Sequence, residues 1–221
     1  MKWNLTMRQE GGLRSYPCVA IDMGGSTSPM LAEGFGAVLS AIAPKLVMAY
    51  GRCANLEHMC SLVEDGSEGI EIGCDWGDGL LRLLETGAAK IHGVDPYLPD
   101  TTAQFTSLPA EGMDKRYDIV VERTKSERVQ IHRAASQDYL KDVKPGSMDW
   151  IFIDGDHHEE PAYQDMCLSY DALRSGGIMV IDDTRCDLWG KYVKPALDRF
   201  LVDHGMEPVN LVCDPVIYRK I

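Results

Sequence analysis

The chain is predicted to fold as an α/β protein on a doubly wound, mostly parallel sheet closed by a C-terminal antiparallel hairpin. Three observations predict this. Short apolar runs alternate with helical stretches from about residue 67 onward, the order expected of a parallel sheet covered by helices. The runs Trp150-Ile-Phe-Ile153 and Ile178-Met-Val-Ile181 are continuously apolar, which suits strands buried on both faces. Successive runs end in glycine or aspartate, at Gly73, Asp95, Asp154 and Asp182, and ligands of open α/β sheets bind at the carboxyl ends of the strands.

The elements follow in order. Gly69-Ile-Glu71-Ile-Gly73 reads as the first strand, and a glycine-broken turn leads into a helix through Leu80–Glu85 that stops at Gly87. Lys90-Ile-His-Gly-Val-Asp95 is the second strand. Residues 97–113, rich in Pro, Thr, Ser and Gly, read as a long loop or lid, and 114–125 has helical spacing. Arg128–His132 is the third strand, followed by a helical turn at Ser136–Leu140. The run from Met148 is the fourth strand, and a helix over 160–173 carries Pro161 in its first turn, where proline is tolerated. Ser175-Gly176-Gly177 is expected to break that helix before the fifth strand. A helix over about 189–204 precedes a hairpin formed by 209–212 and 216–218 around Asp214-Pro215.

Residues 1–54 are expected to be an N-terminal extension that covers the substrate, with a helix over 32–48, and residues 55–221 the main domain. Val19-Ala-Ile-Asp22-Met-Gly24-Gly25-Ser26-Thr27 resembles the first phosphate loop of sugar kinases. No second phosphate loop accompanies it, and a glycine-rich turn is the simpler reading.

Composition narrows the function classes. With 22 basic and 34 acidic residues the net charge is −12, which argues against nucleic acid or an anionic membrane as partner. No apolar run approaches the roughly 18 residues of a membrane span, and no leader is evident. Seven irregularly spaced cysteines without a CxxC pair suit free thiols in a cytoplasm. A homo-oligomer is compatible with this composition.

Chemistry concentrates at two places. Asp154 and Asp156, in Asp154-Gly-Asp156-His157-His158, and the pair Asp182-Asp183 bring four carboxylates to the same edge of the sheet. Such a group needs a cation, a proton or a donor network. Asp154, Asp182 and Asp183 form an all-oxygen set suited to Mg²⁺ or Mn²⁺; capping and turn roles for Asp182-Asp183 and Asp156 are the plain alternative. The second place is Glu71-Ile-Gly73-Cys-Asp75-Trp-Gly77-Asp-Gly79, between strand and helix. Its glycines allow a ligand close approach, and Asp95 ends the next strand, where a carboxylate accepts from ribose hydroxyls. The G-x-x-x-G-x-G spacing is not that of a nicotinamide site. Acidic Asp75 and Asp78 suit the positive sulfonium of S-adenosylmethionine better than a pyrophosphate.

Glu71-Ile-Gly73 with Gly77, Gly-Val-Asp95-Pro, Ile-Phe-Ile-Asp154-Gly-Asp156-His157 and Ser-Gly176-Gly177-Ile-Met-Val-Ile-Asp182-Asp183 together resemble the class I S-adenosylmethionine-dependent methyltransferases, with their Rossmann-like fold. The aspartate motifs are similar to those of metal-dependent O-methyltransferases of the small-molecule and sugar type. The resemblance covers residues 55–205. It implies that Glu71, Gly73 and Gly77 line the methionine and ribose side, that Asp95 holds the ribose and that Ser136 contacts the adenine. It places metal ligands at Asp154, Asp182 and Asp183, and the general base at Asp156 or His157. Asp75, in place of a small residue, and Gly79, in place of a hydroxyl residue, depart from the family pattern.

The expected activity is metal-assisted transfer of a methyl group to a hydroxyl of a small molecule, a sugar or secondary metabolite. The cation lowers the hydroxyl pKa, and Asp156 or His157 accepts its proton. The alternatives are a metal-independent methyltransferase of the same fold, a nicotinamide-dependent oxidoreductase, and a non-catalytic cofactor-binding protein.

Overall fold

A computed structural model describes residues 59–98, 110–185, 189–210 and 215–221. The proposed N-terminal cover, the 32–48 helix, the glycine-rich turn at Gly24-Gly25, most of the 97–113 loop and the hairpin tip at 211–214 lie outside these residues.

Strands β1 (Glu68–Ile72), β2 (Lys90–Val94), β3 (Val129–His132), β4 (Met148–Ile153), β5 (Leu173–Ile181), β6 (Met206–Asn210) and β7 (Val216–Lys220) form one sheet in the order β3-β2-β1-β4-β5-β7-β6. The first five run parallel. β7 lies antiparallel to β5 and β6 antiparallel to β7, so the closing hairpin is present. The helices are α1 (Asp78–Leu84), α2 (Ala110–Arg123), α3 (Ser136–Leu140), α4 (Glu159–Ala172) and α5 (Gly190–Asp203).

Alternation along the strands gives the sheet two buried faces. Ile151 and Ile153 of β4 pack with Met166 of α4 and with Ala196 and Phe200 of α5. Trp150 and Phe152, one step out of phase, pack with Leu80 and Leu83 of α1 and with Met113 and Val120 of α2. Each fully buried aliphatic or aromatic side chain contributes about 1.5–3 kcal/mol. Trp150 also sets the β1–β4 spacing: a Cβ on Gly69 would lie 2.1 Å from its ring, and its indole Nε1 donates to Ser67 Oγ at 3.1 Å.

β6 begins at Met206, three residues before the strand expected at 209, and two further boundaries differ from the sequence reading. Helix α2 begins at Ala110, within the stretch read as loop. Gly112 discourages a helix by about 1 kcal/mol, but Met113, Arg116 and Val120 repeat at helical spacing and are all buried, which outweighs it. The Ser175-Gly176-Gly177 stretch does not separate helix from strand. Strand β5 starts at Leu173, directly after α4, and the glycines form a bulge opposite β4, where the pairing passes from Met148↔Leu173 to Trp150↔Ile178. Gly176, at φ 77°, supplies the backbone conformation that such a bulge needs.

Candidate active site

The carboxyl ends of β1 and β2 build the first half of the site. Gly73 leaves β1 at φ 85°, and a Cβ there would sit 1.9 Å from the carbonyl oxygen of Asp154. The turns after β1 and β4 therefore touch only because residue 73 is glycine. Gly79 has a similar cause: its Cβ would lie 1.8 Å from Glu71 Oε1, so the buried Glu71 carboxyl occupies the space that a hydroxyl residue would take. Glu71 is 3% exposed and its Oε2 has no partner. Burial, with Asp154, Asp95 and Asp78 nearby, pushes its pKa well above the ordinary carboxylate range. Asp95 ends β2, with Oδ2 accepting from the Asp75 N–H at 3.1 Å and Oδ1 from the Tyr97 N–H at 2.8 Å. Burial raises its pKa, and these two hydrogen bonds offset that only in part. Both oxygens keep lone pairs with which to accept from a ligand's hydroxyls.

The glycine loop is not the negative surface expected from its sequence. Arg116 of α2 pairs with Asp75 and lies 4.4 Å from the Trp76 ring centroid. Arg123 pairs with Asp78 at 2.7 Å and donates to the Trp76 carbonyl. These cations offset Asp75 and Asp78, so the two aspartates do not supply the field proposed to favour a sulfonium. Both arginines lie some 40 positions along the chain, in a stretch read only as an amphipathic helix.

The second half lies at the ends of β4 and β5. The Asp154 N–H donates to Ile72 O at 2.9 Å and the Asp182 N–H to Ile153 O at 3.0 Å, which aligns the three strand ends. Asp183, at φ 55°, donates its N–H to Asp182 Oδ1 at 2.9 Å. Asp154, His157 and Asp183 each bring a ligand-type atom within 4.8 Å of the others. His157 Nε2 lies 2.9 Å from Asp183 Oδ2 and 3.3 Å from Asp154 Oδ1, and meets neither in hydrogen-bonding geometry. Burial alone would lower the His157 pKa, but the two carboxylates outweigh it and push it up to about 9. Asp156 stands apart from this group, accepting at Oδ1 from the His158 N–H (2.9 Å) and Nδ1 (2.6 Å). The Trp189 ring stacks on His157, with centroids 5.2 Å apart and planes at 17°.

A family model described as a methyltransferase domain matches residues 70–184, from the middle of β1 to just beyond Asp183. The chain belongs to this methyltransferase family. This methyltransferase is 27% identical over 154 residues to an uncharacterized protein of Acanthamoeba polyphaga mimivirus, covering 67% of this chain and 66% of that relative's length. Its fold is similar to that of a candidate rRNA methylase of Clostridium thermocellum (TM-score 0.55, 16% identity, 77% of this chain and 97% of the other). It is also similar to the N-methyltransferase NodS of Bradyrhizobium japonicum (TM-score 0.53, 16% identity, 76% and 94%). The expected class, an S-adenosylmethionine-dependent methyltransferase, is thus borne out.

Three residues near these strand ends, Gln137, Asp165 and Trp189, escaped the sequence reading. Ser136, at the start of α3, donates through Oγ to Asp165 Oδ1 at 2.7 Å, and the neighbouring Gln137 donates through Nε2 to the same oxygen at 2.7 Å. Asp165 is fully buried. Its only sequence signal is a charged residue on the apolar face of an amphipathic helix. Trp189 opens α5 and carried no motif. Among the described residues no helix is long and apolar enough to cross a membrane, and Cys60, Cys74 and Cys167 are free thiols.

Proposed function

We propose that this methyltransferase moves the methyl group of S-adenosylmethionine to a hydroxyl of a small molecule, such as a sugar or secondary metabolite, with the help of a divalent cation. The observation that carries this reading is the convergence of Asp154, His157 and Asp183 at the carboxyl ends of β4 and β5. The separations of 2.9 and 3.3 Å between donor atoms fit cis positions around an octahedral ion, which are about 3.0 Å apart for bonds of about 2.1 Å. A buried imidazole nitrogen set between two carboxylate oxygens also suits a metal ligand. Asp182, beside Asp183, is the further carboxylate of the proposed set. A set containing nitrogen as well as oxygen leans toward Mn²⁺ over Mg²⁺.

When bound, the cation lowers the pKa of an alcohol and orients it. The chain's own residues do the rest. Asp95 holds the ribose hydroxyls of the methyl donor, Glu71, Gly73 and Gly77 line its methionine and ribose side, and Ser136 lies at the adenine. Asp156, fixed by His158, takes the hydroxyl proton as the new O–C bond forms and the S–C bond breaks. NodS acts on nitrogen and the Clostridium protein is a candidate for rRNA. A neutral amine needs no metal to become nucleophilic, which favours the oxygen acceptor here. The net charge of −12 disfavours an RNA acceptor.

A second reading keeps His157 as an imidazolium clamped between Asp154 and Asp183, without a cation; the raised His157 pKa favours it. Transfer of radiolabelled methyl from S-adenosylmethionine to a panel of glycosides, phenols and amines, with Mn²⁺ and with a chelator, separates the two. Methyl ethers formed only with the metal support the first reading. Equal transfer with chelator selects the second, and N-methyl products alone would contradict both.

A further inference from the structure

We propose that Asp165 sets the polarity of the cofactor site so that it reads the amino group of adenine and rejects its oxo analogue. The inference rests on the reading above that Ser136 lies at the adenine side of the S-adenosylmethionine site.

Asp165 sits on α4 with no exposed surface, among apolar neighbours such as Ala162 and Met166. A buried carboxyl is costly unless hydrogen bonds compensate it. Two hydrogen bonds reach one of its oxygens from one segment: Ser136 Oγ and Gln137 Nε2 each donate to Oδ1 at 2.7 Å. The other oxygen, Oδ2, has no partner and lies under the turn after β4, 3.5 Å from where a Cβ on Gly155 would be. Asp165 therefore stands between the segment proposed for adenine and the turn that carries Asp154 and Asp156.

A serine hydroxyl and a glutamine amide are both ambivalent, able to donate or to accept. The ionised carboxylate removes the ambiguity, because its Oδ1 can only accept. With its hydrogen committed to Asp165, Ser136 Oγ has only lone pairs to offer. With Nε2 held by Asp165, the amide of Gln137 is fixed in one of its two flips, and its other end is the carbonyl oxygen Oε1. Both side chains are half-buried, so these acceptors remain reachable. Adenine presents an exocyclic amine, a donor that two acceptors satisfy. Hypoxanthine carries a carbonyl at the same position, and acceptor would face acceptor. A site whose polar groups are left unpaired rejects such an analogue strongly.

The test is calorimetric titration of S-adenosylhomocysteine and S-inosylhomocysteine into wild type and variants. Wild type is expected to prefer the adenine compound by at least ~10-fold, the scale of one lost hydrogen bond with its unpaired partner. Asp165→Asn keeps an acceptor oxygen and should keep the preference. Asp165→Leu frees both side chains and should bring the ratio to about 1–2 by the same reasoning; the ratio cancels general destabilisation. An unchanged ratio in Asp165→Leu, or loss of the preference in Asp165→Asn, would overturn the proposal. Failure of wild type to bind either nucleoside would instead refute the cofactor reading on which it rests.

Discussion

Replacing Gly73 with alanine should break the joint on which both halves of the site depend. Two costs are legible in the structure. The backbone at φ 85° is unfavourable for a residue with a Cβ by about 1–2 kcal/mol. The Cβ would also lie 1.9 Å from the Asp154 carbonyl oxygen, so the turns after β1 and β4 must part by more than about 1 Å; overpacking of this kind costs about 1–3 kcal/mol. The sum is about 2–5 kcal/mol. Gly66→Ala is the control, because Gly66 has a similar φ of 78° with nothing within 4 Å of its Cβ position, and it should lose only the conformational part. Urea denaturation gives the two stabilities, and calorimetry with S-adenosylhomocysteine gives binding. Gly66→Ala should bind like wild type, whereas Gly73→Ala should lose ~10–100-fold, since displacements of about 1 Å are costly in active sites. Equal stability losses, or unaltered binding in Gly73→Ala, would refute the claim that this contact sets the geometry of the site.

Other consequences are equally open to measurement. Burial lifts the Asp165 carboxyl to about 7 from 3.8. The folded state thus holds this proton more tightly than the unfolded chain. The stabilisation is fully present below pH ~4 and is lost as pH rises toward ~7, on the order of 4 kcal/mol (about 3 units at about 1.4 kcal/mol each). Wild type should lose stability relative to Asp165→Asn as pH rises across that window, and a difference independent of pH would contradict the assignment. Lys220 donates to the carbonyls of Tyr170 (2.6 Å) and Leu173 (2.8 Å) at the end of α4. Lys220→Met should cost about 1–2 kcal/mol in denaturation experiments, because it strips a cation from helix-terminal carbonyls. Arg116→Leu should remove the Asp75 ion pair and the cation over Trp76, and a fall in S-adenosylhomocysteine affinity with a red shift of Trp76 emission is the expected result; unchanged binding would contradict a role for this pair in shaping the glycine loop.

Much of this architecture was legible because its signals are local. Trp150-Ile-Phe-Ile153 and Ile178-Met-Val-Ile181 could be little else than doubly covered strands, and their position between helices dictated parallel pairing. The aspartates were visible because each follows such a run. Contacts across the chain were hidden. Nothing near Asp75 or Asp78 signals that Arg116 and Arg123 lie against them, so the charge of the loop was read without its counterions. The bulge at Gly176 looked like a helix stop, since glycine marks both and only the pairing with β4 tells them apart. Asp156 and His157 are both legible as candidate bases; that the His157 nitrogen sits beside Asp183, 26 residues away, through a turn at Asp183 with positive φ, no spacing rule conveys. Asp165 acts through residues on another helix, so a lone charged residue in an amphipathic pattern gave no hint of it.

The most direct test of the central claim is a Mn²⁺ titration of the S-adenosylhomocysteine-bound protein followed by electron paramagnetic resonance, in wild type, His157→Ala and Asp183→Asn. Metal-assisted transfer predicts one tight Mn²⁺ site in wild type, weakened at least ~10-fold in each variant while nucleoside binding persists. A wild type that takes up no Mn²⁺, or a site indifferent to both substitutions, would contradict the assignment of Asp154, His157 and Asp183 as a metal centre.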